Sequence, residues 1–84
     1  MKNQKNKLIE MWKDAVSKIQ KSYEMEAKLQ NTSNPFDLKM FAQRQLEMCT
    51  ESRPDKTKTI WEQANETQTE YFKYLEKVIE TGEL

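Results

Sequence analysis

Apolar residues recur along this chain at intervals of three and four, in three runs separated by two short polar breaks. In the first run Leu8, Ile9, Trp12, Ala15, Val16, Ile19, Tyr23 and Ala27 fall on one face of a helix, with Lys13, Asp14, Ser17, Lys21 and Glu24 opposite. Glu26 alone interrupts that stripe, and is read as lying beyond the packed region. In the second run Leu38, Phe41, Ala42, Gln45, Leu46, Met48 and Cys49 share a broad face, against Asp37, Lys39, Gln43, Arg44 and Glu47. Phe36 and Met40 land off that face, beside Glu47, so the middle helix offers apolar surface on more than one side. The third run passes through Ile60, Trp61, Ala64, Thr67, Tyr71, Phe72, Tyr74, Leu75, Val78 and Ile79. The periodicity predicts helices over about 7–29, 35–50 and 55–81.

The breaks carry start and stop chemistry. Asn34 suits an N-cap, Pro35 the first helical position, and Asp37 lies three residues after the cap. Asn31-Thr32-Ser33-Asn34-Pro35 reads as a compact turn, because the residue before proline is steered out of the helical region. The second break is Thr50 to Asp55, where Ser52 is a cap candidate with Asp55 three residues on. Gly82 after Thr81 is the expected end of the last helix. Met1 to about Lys7 is polar and uncapped, so a frayed start is expected there. The one strand-like patch, Lys56 to Ile60, leads straight into a helical pattern.

Composition narrows the class. One glycine and two prolines in 84 residues leave little material for hairpins, which disfavours β architectures. Charged residues are 33% of the chain and hydrophobic ones 36%, with a mean hydropathy of −1.04, yet eight aromatics and the clear period point to a folded helical domain. The expected fold is therefore all-α: one domain over 1–84, a small long-short-long three-helix bundle, up-down-up, with Trp12 and Trp61 facing inward. The middle helix is the one on which the other two are expected to close. Because it is shorter than its neighbours, the outer helices should overhang it and leave apolar side chains uncovered at one end.

A core this small gains from an added staple, and two of the usual ones are missing from the composition. There is no histidine, and the single Cys49 has no intrachain partner, so self-association as a homodimer is the expected staple. Charge favours helices lying side by side: residues 1 to 30 carry seven Lys against four acids, and residues 54 to 84 four Lys against seven. No long uninterrupted apolar segment opens the chain; with the lone thiol, this leads us to expect a cytoplasmic setting.

Candidate chemistry is sparse. Without histidine the commonest general base is missing, leaving carboxylates, Lys, Tyr and Cys49. Glu62, Glu66 and Glu70 recur every fourth residue and would form one strip of the third helix, read as a solvated acidic face or a docking strip for a basic partner rather than a metal or acid–base site. Cys49 on an apolar face reads as a small buried hydrophobe. Arg53, Lys56 and Lys58 would open a recognition helix, but the glutamates that follow and a pI near 6.3 oppose approach to phosphate. Asn31-Thr32-Ser33 and Asn65-Glu66-Thr67 match the glycosylation acceptor pattern and are read as unmodified.

The expected function is thus a non-enzymatic helical interaction module, an oligomeric adaptor or regulatory binding protein with no cofactor and no metal. Its partner-binding candidates are Phe36, Met40, Trp61, Glu62, Glu66 and Glu70. The expected partners are a second copy and another protein. The alternatives are an amphipathic coat for lipid or storage-granule surfaces, the class that includes phasins, and a nucleic-acid-binding regulator. No motif in the chain carries a resemblance to a known family.

Overall fold

Four α-helices form in the computed structural model, which describes residues 3–33 and 36–84, and no strand occurs among the described residues. They are α1 (Asn3–Gln30), α2 (Leu38–Glu51), α3 (Ile60–Gln63) and α4 (Glu66–Thr81). The protein is all-α, as its periodicity requires. No helix among the described residues is long and apolar enough to cross a membrane.

Local chemistry sets the helix ends. α1 begins at Asn3, earlier than the frayed start expected near Lys7; Met1 and Lys2 lie outside the described residues. It stops in a Schellman turn: Asn31 takes the left-handed conformation at φ 55°, its N–H donates to Lys28 O at 3.3 Å, and Thr32 N–H donates to Ala27 O at 3.0 Å. Asparagine tolerates that conformation better than most residues. The expected cap at Asn34 and Pro35 lies outside the described residues, but α2 starts later than 35. Phe36 and Asp37 are not helical, and Asp37 Oδ1 accepts from Met40 N–H at 3.2 Å as the N-cap.

The third predicted helix is not one helix, and two capping boxes divide it. Residues 52–59 form a loop that α3 follows for a single turn, with Thr59 Oγ1 accepting from Glu62 N–H at 3.1 Å and Glu62 Oε1 accepting from Thr59 N–H at 3.0 Å. Ala64 and Asn65 are then extended, at ψ 142° and 179°. Asn65 Oδ1 accepts from Gln68 N–H at 2.8 Å and Gln68 Oε1 from Asn65 N–H at 3.0 Å, restarting the helix as α4. The side-chain cap offers the backbone an alternative to continuing the helix, and here it prevails. α4 ends at Gly82, whose φ of 76° is left-handed and whose N–H donates to Val78 O at 2.6 Å.

The core consists of Trp12, Val16, Ala42, Ile60, Tyr71, Phe72, Leu75 and Val78. Half of these come from α4, which packs against both α2 and α1, so α4 rather than α2 is the element on which the others close. Leu8 shares a cleft with Gln68 and Tyr71, and Gln20 shares one with Thr81 and Gly82, so α1 and α4 run the same way. α2 runs against them, with Cys49 near Leu8 and Phe36 against Tyr23. A string of rings joins α1, α2 and α4: Tyr23 to Phe36 at 5.5 Å, Phe36 to Phe41 at 5.4 Å, Phe41 to Trp12 at 6.0 Å, and Trp12 edge-on to Tyr74 at 5.8 Å.

α1 has 28 residues against 14 in α2 and 16 in α4, so it outruns both. The molecule measures 46 × 29 × 21 Å. Its Cα radius of gyration is 14.9 Å, whereas a compact domain of this length has about 12 Å.

Candidate functional site

Two regions carry whatever chemistry the surface offers. The first is a cleft of about 440 Å³ lined by Leu8, Cys49, Ile60, Gln63, Tyr71 and Phe72 among others. Its rim is the 52–59 loop, which is tied down from within. The Arg53 guanidinium donates to three carbonyls: Nε to Lys58 O at 2.7 Å, Nη1 to Thr50 O at 2.6 Å and Nη2 to Lys56 O at 3.0 Å. Gln63 Nε2 donates to Asp55 O at 2.9 Å, and Gln63 Oε1 accepts from Asp55 N–H at 3.1 Å. Lys56 Nζ donates to Glu51 O. Two of the three cations read from the sequence as a basic group are therefore engaged with backbone carbonyls and are poorly placed to meet phosphate.

Two titratable groups of the cleft, Cys49 and Tyr71, are held neutral. Burial pushes the Cys49 thiol up from its ordinary value, which lowers the thiolate fraction and with it the reactivity of the sulfur. Burial also pushes the Tyr71 phenol well up; the neighbouring Cys49 adds to this, and a hydrogen bond with Gln45 opposes it. Among the described residues no three His, Cys, Asp or Glu side chains gather as metal ligands.

The structure does not bring the sequence-predicted residues together. Phe36 is half-buried, its ring between Tyr23 and Phe41, at the end of the molecule where α4 finishes. Met40 is 66% exposed. Trp61 stands at the opposite end, where α4 begins, 5.6 Å edge-on from Phe72. Expected to face inward, it is 36% exposed, because the one-turn helix that carries it lies outside the packed stripe of α4. Glu62, Glu66 and Glu70 do not form a single strip. Glu62 belongs to α3 and caps it, while Glu66 and Glu70 lie in the first turns of α4 beyond the extended Ala64 and Asn65.

The second region is the far end of α1, and sequence reading located it only through helix length. On the stripe that buries Trp12 and Val16, Ile19 is half-buried and Tyr23 is 39% exposed; Leu29, off that stripe, is 82% exposed. At 100° per residue Leu29 falls about 100° from Trp12, so it stands beside the face that Trp12 and Val16 pack rather than on it. Glu26, on the packed face, accepts from Gln30 Nε2 at 3.2 Å and is exposed, as its interruption of the stripe implied. Met25 is 65% exposed, on the same side of the helix as Leu29. No protein-family model, curated protein or solved structure matches this chain.

Proposed function

We propose that the protein is a small non-catalytic interaction module. Its three main helices would form a long-short-long, up-down-up unit that self-associates and binds a further protein, as an adaptor or regulatory binding protein. The observation that carries this reading is surplus surface. The chain exposes 6616 Å² at 10.1 kDa, whereas a folded monomer of that mass exposes about 5,300 Å². The excess is associated with large apolar side chains that stand open, Leu29, Met40 and Met25 foremost. The neutral Cys49 and Tyr71 in the cleft supply neither nucleophile nor base at neutral pH, which favours binding over catalysis. The lone half-buried thiol suits a reducing, cytoplasmic setting.

A photo-crosslinking amino acid placed at position 29 or 40, in the native cell, tests the reading. Discrete protein adducts at these positions, and none from exposed Glu83, are expected. Adducts to lipid alone, with flotation of the purified chain on liposomes, would replace the module by the surface-coat reading.

A further inference from the structure

We infer that the exposed strip at the end of α1 docks on a second copy of this chain, in the acidic cleft that carries Leu46 of α2 and Ile79 of α4. The inference rests on the interaction-module reading and names one partner and both halves of the contact. The strip is apolar and basic. Met25 and Leu29 are one turn apart, 65% and 82% exposed, and within about 40° of each other around the helix. Lys21 and Lys18 continue the strip one and two turns earlier, and Lys28 flanks Met25 at about 60°. Lys18 is paired with Asp14 at 3.2 Å, so Lys21 and Lys28 are the cations that distinguish this strip. Glu24 and Glu26 stand on either side of it, each about 100° from Met25.

The cleft is the complement of that strip. It measures about 540 Å³ and is lined by Gln43, Leu46, Glu47, Thr50, Glu51 and Ile79. Leu46 and Ile79 are its half-buried apolar wall, and its charged lining is wholly acidic. Glu76, one turn before Ile79 and exposed, lies on the side of α4 away from the core and extends the acidic rim. Two cations stand nearby, Lys39 laid over Gly82 and Lys56 donating to the Glu51 carbonyl, which leaves Glu47 and Glu76 as the acids that define the rim. A chain cannot fill its own cleft with its own strip. Ile79 lies about 140° round α4 from Tyr74, the residue that meets Trp12 of α1. Each copy therefore offers one strip and one cleft, and a pair related by a two-fold axis makes the contact twice. With a net charge of zero, copies approach without overall repulsion while the opposite local charges orient them.

Sedimentation equilibrium of the full chain, from low to several hundred micromolar, tests this with two charge-reversed variants whose helical circular dichroism is checked first. One carries Lys21→Glu with Lys28→Glu on the strip, the other Glu47→Lys with Glu76→Lys at the cleft. The wild type should self-associate reversibly, and more weakly in high salt. Each variant alone should associate at least tenfold more weakly, because like charges then meet. Mixed in equal amounts the two should associate again, since each supplies the sign that the other lacks. Met40→Glu, on another side of α2, should stay within about twofold of the wild type. A wild type that stays monomeric throughout, a cleft variant that associates like the wild type, or a mixture no stronger than its parts overturns the inference. A monomer that still crosslinks to another protein through position 29 or 40 sinks this inference alone. The predicted self-association with no adduct to any other protein would keep it and remove the adaptor role.

Discussion

Tyr74→Phe is the sharpest test of how α1 sits on α4. The Tyr74 hydroxyl is buried without a hydrogen-bond partner, while its ring is held edge-on by Trp12 at 5.8 Å and capped by Lys13 Nζ at 5.4 Å from the centroid. Replacing tyrosine by phenylalanine preserves both ring contacts and deletes only the oxygen. A buried polar group left unpaired costs about 1–3 kcal/mol relative to water, so its removal should stabilise the fold by roughly 1 kcal/mol once imperfect burial is allowed for. In a domain of this size that corresponds to a rise of about 4–8 °C in Tm. Tyr71→Phe is the control, because Tyr71 shares a hydrogen bond with Gln45 and its loss should destabilise by about 1 kcal/mol. Urea unfolding followed by circular dichroism reads both. Opposite signs are expected. A loss of 1 kcal/mol or more in Tyr74→Phe would mean that the hydroxyl has a partner in the folded chain and that the contact between the helices is arranged otherwise.

Two further outcomes follow from the cleft and its rim. Arg53→Lys should free the 52–59 loop, since an ammonium lacks the fork that reaches the carbonyls of Thr50, Lys56 and Lys58; limited proteolysis after Lys56 or Lys58 should quicken while the rest of the chain stays resistant. Stability should decline in alkali. Burial raises Cys49, Tyr71 and Tyr74 above their ordinary values, so the unfolded chain loses these protons first and the folded state binds more of them. Their contribution is complete below about pH 8.5 and drains away as pH rises through about 9 to 10 and beyond, toward the folded-state values. A urea midpoint unchanged between mildly and strongly alkaline buffer would contradict this.

How much of this was legible in the sequence differs from element to element. The stripe through Leu8, Trp12 and Val16, and the glycine stop at Gly82, follow from local periodicity and backbone sterics, and both are found in the fold. The break inside the predicted third helix was written in the chain as well, as Thr59 with Glu62 and Asn65 with Gln68. The helical period hides it, because Trp61, Ala64 and Thr67 also fit that period and the two signals compete over the same residues. What tips the balance is non-local. Gln63 turns its amide to the carbonyls of Asp55, Lys58 and Thr59, and Arg53 holds the same loop, neither of which spacing alone reveals. The continuous glutamate strip fell with that helix. The overhang was foreseeable from unequal helix lengths, but placing it at the Leu29 end needed the alignment of Trp12 with Tyr74 and of Gln20 with Gly82.

The central claim is that the exposed apolar side chains on the overhanging end of α1, Met25 and Leu29, stand open in the single chain and are covered when the protein associates. Hydroxyl-radical footprinting of Leu29 over a concentration series tests it most directly, with exposed Met11 on the packed half of the same helix as the internal reference. Leu29 should react freely at the lowest concentration and become protected as concentration rises, while Met11 stays constant. Protection of Leu29 already at high dilution, or reactivity unchanged at every concentration, would contradict the account.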